Sequence, residues 1–147
     1  MHRQSALTLF ELLIVIALIG IISLPLYFSY TRSQANQSLR SSSEQLQHSL
    51  ETAHIAAREA KDKRAWGVKN VDSKSFALIS GNTTTYKTEK ITSLESLVDF
   101  PNNFEVWFEI GTGNTTQEKT ITLKNKYDKQ ISVRISKTGL VDVGVQQ

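Results

Sequence analysis

Apolar and polar positions fall into three regimes along the chain. From Leu12 to Ile22 no side chain is polar. Extended through Ser23, Pro25 and Ser29 to Tyr30, this run is long enough to span a bilayer, which takes about 20 mainly apolar residues. From Thr31 to Arg64 the pattern changes. Ala35, Leu39, Ser42 or Ser43, Leu46, Leu50, Ala53, Ala57 and Ala60 recur every three or four residues between polar side chains. That period predicts an amphipathic helix with one narrow buried face. The stripe is too rich in Ala and Ser for a strong coiled-coil seam. After Ala65 the period falls to two. Trp66–Val71 and Lys74–Ile79 read as a hairpin about the turn formers Asp72 and Ser73. Further strands are expected at Thr84–Ile91, Phe104–Ile110, Lys119–Leu123, Gln130–Ser136 and Leu140–Val145, with Ile91–Asn103 irregular around Pro101. Short strands and tight turns predict an antiparallel meander whose apolar face packs on the helical stripe. The fold class is therefore α+β.

One residue breaks the first regime. Glu11 sits inside the apolar run, where a carboxylate at membrane depth costs roughly 2.5–3.5 kcal/mol and marks a functional site by default. Pro25 lacks an N–H and clashes with the carbonyl one turn back, so a kink or loosened turn is expected there. Three readings of the N-terminus compete. A secretory signal should end in a small-residue cleavage site, and Ser23-Leu24-Pro25-Leu26-Tyr27-Phe28-Ser29-Tyr30 offers none. An ordinary anchor accounts for the length but not for Glu11.

The third reading accounts for both. Six short polar residues, Met1-His2-Arg3-Gln4-Ser5-Ala6, precede the apolar run, and Glu11 is the fifth residue after that junction. Together with Thr8-Leu9-Phe10-Glu11-Leu12-Leu13-Ile14-Val15-Ile16, this resembles the prepilin signal of type IV pilins and type II secretion pseudopilins. The resemblance implies cleavage by a prepilin peptidase between Ala6 and Leu7, N-methylation of Leu7, and pairing of Glu11 with a terminal amine of a neighbouring subunit. The family usually has Gly before the cut and Phe or Met after it. Here Ala6 and Leu7 stand there, and Ala is small enough for a tight peptidase subsite. The passage from Ala56-Ala57-Arg58-Glu59-Ala60 into Trp66-Gly67-Val68, and the closing Ile131–Gly139–Val143 hairpin, look like the minor pseudopilins of the H type.

Residues 1–6 are thus expected to be a leader, 7–30 a transmembrane and assembly helix, 31–64 an amphipathic stem and 65–147 a β-rich domain. The expected function is that of a structural subunit, minor in type, of a type IV pilus or type II secretion pseudopilus. Its partners would be the peptidase, other pilin or pseudopilin subunits, membrane lipid before assembly and, indirectly, an assembly platform and ATPase. Its location would be the bacterial inner membrane with the N-terminus cytoplasmic, then a periplasmic or surface filament. Two alternatives stay open: a minor pilin binding DNA or an adhesion ligand, and a plain membrane-anchored domain.

Composition narrows this further. The 147 residues carry a net charge of +3, too small an excess to argue for nucleic acid, although Lys119, Lys124, Lys126 and Lys129 cluster in sequence. There is no cysteine, which removes disulfides and thiol chemistry. His48 and His54 are too far apart for ligands on one helix face, where spacings of three or four are wanted. Gly111-Thr112-Gly113 lacks the rest of a phosphate loop, and Asp72, Asp99, Asp128 and Asp142 spell no calcium loop. The mixed run Arg58–Arg64 reads as a solvated helix end, and Trp66 and Trp107 as core or sheet-surface anchors. No enzyme, cofactor or metal is expected.

Overall fold

The computed structural model describes residues 9–146. The helix α1 runs over Leu9–Arg58 and is followed by eight strands among the described residues: β1 (Ala65–Asp72), β2 (Ser75–Gly81), β3 (Tyr86–Ser93), β4 (Val98–Asp99), β5 (Glu105–Phe108), β6 (Lys119–Asn125), β7 (Gln130–Ile135) and β8 (Val141–Gln146). The chain divides into two compact units, one ending at Gln34 and the other beginning at Ala35. Within the first, the described chain is helix.

In the second unit the strands form two antiparallel sheets, ordered β3-β2-β1-β5 and β4-β6-β7-β8. This corrects the single meander expected from the turns. The reason is non-local: β5 returns to pair with β1, with Val106 opposite Val68 and Phe108 opposite Trp66. The segment between β3 and β5 makes that return possible. Its backbone is held by Leu94 N–H to Lys74 O at 2.7 Å and Phe100 N–H to Ser73 O at 2.7 Å. Glu95 N–H also donates to Ser42 Oγ at 3.2 Å, tying the segment to α1. The β1–β2 turn forms where Asp72 and Ser73 predict it. Asp72 Oδ1 accepts from Lys74 N–H at 2.6 Å and Oδ2 from the Ser75 hydroxyl at 2.8 Å, which holds the carboxyl below its ordinary range.

The core lies where α1 meets both sheets. Leu39, Leu46, Leu50 and Ala53 from the helix pack with Trp66, Val68, Phe76 and Phe108 from one sheet and Leu123, Val133 and Ile135 from the other. Along α1 the buried positions are Ala35, Leu39, Ser42, Ser43, Leu46, Leu50, Ala53, Ala56 and Ala57. That is the expected stripe with Ala56 added and Ala60 only half-buried. Small residues at its middle let backbone approach the helix closely, as the Ser42 bond shows.

The helix stops at Arg58, earlier than the expected Arg64. Ala60, Asp62 and Lys63 all have positive φ, and a 3₁₀ turn covers Lys61–Lys63. The helix end is capped both locally and from elsewhere in the fold: the Ala57 carbonyl accepts from Ala60 N–H at 3.0 Å and from Gly111 N–H at 2.8 Å. An end carbonyl without an intrahelical partner needs such a donor. Trp66 Nε1 then donates to Lys61 O at 3.2 Å and fastens the turn to β1. One long helix packed on antiparallel sheets is the α+β arrangement expected, of pilin-like form.

Candidate functional site

From Leu9 to Tyr30 every residue of α1 is exposed, including Phe10, Ile21, Leu24 and Tyr27, each more than 60%. A helix apolar on all sides has no polar face to give to water. An exposed apolar surface of this extent belongs in lipid or against other helices. The segment is long and apolar enough to cross a membrane. Within it the Ser23 hydroxyl donates to Ile19 O at 2.6 Å, and just beyond it Thr31 donates to Phe28 O at 3.1 Å. Internal satisfaction of this kind is what a bilayer requires. Pro25 lies inside α1, and Glu11 stands exposed in its first described turn. Ala6 and Leu7, the residues flanking the expected cut, lie outside the described residues.

The other sequence-level candidates do not converge. Among the described residues no group of three or more His, Cys, Asp or Glu comes together. His48 is exposed. Three of the four lysines have their own partners: Lys119 Nζ donates to Glu105 O at 2.8 Å, Lys124 pairs with Asp128 at 2.6 Å and Lys126 lies over the Tyr127 ring. Trp66 is a core residue, and Trp107 is half-buried on the outer face of its sheet, across Gly67.

His54 is the residue whose setting the sequence does not disclose. Its ring tilts against Phe108 at 5.6 Å, and Gly113 and Gly139 approach it so closely that a Cβ on either would lie 2.6 Å from Cδ2. Burial first, and the Arg58 charge second, push the His54 pKa below its ordinary value. The unfolded chain therefore binds more protons than the folded one just below pH 6.5, so stability falls as pH drops through that window. Thermal melts of the wild type against His54→Gln should show this slope, and the variant should lose it. An unchanged slope in the variant would place the titrating group elsewhere.

The fold and this segment together define an α+β protein with an apolar helix built for a membrane or a helical assembly. Residues 1–27 match the family model described as the prokaryotic N-terminal methylation motif, the prepilin-type signal of type IV pilins and pseudopilins. The match covers the junction at Ala6 and Leu7, the carboxylate Glu11 and the helix as far as Tyr27. No curated protein and no solved structure matched the chain. The motif supports a type IV pilin-like or pseudopilin subunit, anchored in the inner membrane, processed by a prepilin peptidase and assembled with other pilins.

Proposed function

We propose that the chain is a minor structural subunit of a type IV pilus or type II secretion pseudopilus. The peptidase cuts between Ala6 and Leu7, Leu7 is N-methylated, and the subunit assembles through its N-terminal helix. The single observation that carries this reading is the methylation motif at residues 1–27, continued by a helix whose apolar side chains from Leu9 to Tyr30 are all exposed. Such a surface is stable in lipid and equally stable against like helices, so it suits a subunit that passes from one to the other. Glu11 gives the assembled state its specificity. Cleavage creates a cationic amine near the membrane surface, and a charge removed from water needs a partner. Glu11 of one chain supplies it to another. Pro25 gives the helix a point at which to bend during packing. The role is structural rather than enzymatic. The β-domain faces outwards and chooses neighbours.

Mass spectrometry of the protein extracted from membranes tests the processing step. The expected N-terminus is methyl-Leu7. An N-terminus at intact Met1 would overturn the reading in favour of a plain anchor.

A further inference from the structure

Three elements that are far apart in the chain close on the His54 ring. Gly113 comes from the loop between β5 and β6, and Gly139 from the turn between β7 and β8. A Cβ on either would crowd Nε2 as well as Cδ2, at 2.7 Å for Gly113 and 2.9 Å for Gly139. Both glycines are buried, at φ +73° and +78°. Phe108 of β5 backs the ring from the sheet. Around it the loop, the turn and the helix end are bonded together. Thr115 N–H donates to Lys137 O at 2.9 Å, the Thr115 hydroxyl to Ser136 O at 3.0 Å, and Gly111 N–H to Ala57 O at 2.8 Å. Ala57 lies on α1 three residues after His54.

The ring holds its place by packing. Among the described residues neither of its nitrogens has a hydrogen-bond partner. A neutral imidazole tolerates a half-buried seat of this kind. An imidazolium carries two N–H donors and a charge, and all of them need water or an acceptor. Its Nε2–H would point at the seam between the two glycines. The charged groups on the surrounding elements offer no compensation. On α1, Glu51 accepts from the Gln47 amide at 2.8 Å. Beside β5, Glu109 accepts from the Thr112 hydroxyl at 3.3 Å. Lys137, on the turn before Gly139, is exposed and of the same sign as an imidazolium. Arg58, one turn further along α1, repels a proton on the ring.

We propose that His54 is a pH-sensitive latch: on protonation its ring leaves the seat between Gly113 and Gly139 for water, and the loop, the turn and the helix end loosen together while the strands stay paired. The opening is local because the ring lies at the rim of the core. Leu50, Val133 and Ile135 are fully buried, and none of them titrates. Histidine is the side chain whose charge changes in mildly acid conditions. A small bistable element of this kind needs no more than the differential solvation of one ring to bias it. The end of the domain that holds Arg58, Gly113 and Gly139 would thus present one surface at neutral pH and another in acid. The proposal stands independently of the filament reading, since it rests on the packing of this junction alone.

The test is amide hydrogen exchange on the full chain in detergent micelles, with each rate divided by the intrinsic rate at that pH. So corrected, the Thr115 amide should exchange about threefold or more faster at about pH 5 than at about pH 7.5. Its rate should not respond to dilute urea, the mark of local opening, whereas the Val133 amide should respond at both pH values, the mark of global unfolding. His54→Gln should remove the acid response of Thr115. Arg58→Gln keeps the ring and removes the repelling charge, so it should move the response to higher pH, and it serves as the test should His54→Gln fail to fold. A Thr115 rate that rises with urea as Val133 does would overturn the proposal, because the junction would then open only with the whole domain. So would a rate indifferent to pH, an acid response that survives in His54→Gln, or a midpoint unmoved in Arg58→Gln.

Discussion

Glu11→Ala leaves insertion, cleavage and methylation at wild-type levels and removes the subunit from filaments. The expectation follows from where the charge sits at each stage. In the membrane the carboxylate is a burden of roughly 2.5–3.5 kcal/mol at full depth, so the alanine variant inserts at least as well. The proposed cut and methylation fall at the junction of Ala6 and Leu7, before Glu11. In the assembled bundle the terminal amine of a neighbour is withdrawn from water, and removing its partner costs about 3–5 kcal/mol. At about 1.4 kcal/mol per factor of ten, incorporation falls by about a hundredfold or more. Glu11→Gln keeps a hydrogen-bond acceptor without the charge and should fall between. The measurement is the ratio of subunit in sheared filaments to subunit in the membrane fraction, with the N-terminal mass checked in each. Wild-type incorporation of the alanine variant would mean that the charge pair is unnecessary to assembly.

Glu11 stands out in the sequence because a carboxylate in an apolar run is a chemical anomaly that needs no fold to be seen. The strands were legible for a similar reason. Their β-branched alternation and their turn residues are local, so Lys119–Leu123 and Gln130–Ser136 lie within two residues of the observed β6 and β7. Partnership was not legible. Nothing near Val106 says that it will face Val68 rather than the next strand along. The end of α1 was hidden in the same way. No Gly or Pro marks Arg58, and the shorter of the two bonds that cap Ala57 comes from the distant Gly111. The sequence shows Ala60 as one more alanine in the stripe, yet the fold holds it at φ 51°. His54 could be judged only against His48, whereas its neighbours are two glycines far along the chain. The edge of β5 likewise exists only once the sheet order is known.

Those two glycines carry the largest expected stability effect. Gly139→Ala should destabilise the β-domain by about 2–5 kcal/mol, in two separable parts. Its φ is +78°, a conformation that costs an L side chain about 1–2 kcal/mol. The added Cβ would also lie 2.2 Å from Gly113 O and 2.6 Å from His54 Cδ2. A backbone carbonyl has no rotamer by which to yield, so the turns at Gly113 and Gly139 must separate. Gly111 supplies the control within the same molecule. Its φ is +80°, yet nothing lies within 4 Å of its Cβ position, so Gly111→Ala should lose about 1–2 kcal/mol and no more. Thermal or denaturant melts read the difference, which corresponds to a Tm gap on the order of 10 °C between the two variants. Equal losses would mean that strain alone is felt and that the turns are not packed as described. Adding His54→Ala to Gly139→Ala sharpens the point. Removing the ring relieves one contact and leaves the other, so the double variant should recover only part of the excess. Full recovery would put the whole clash on the imidazole and none on the Gly113 carbonyl.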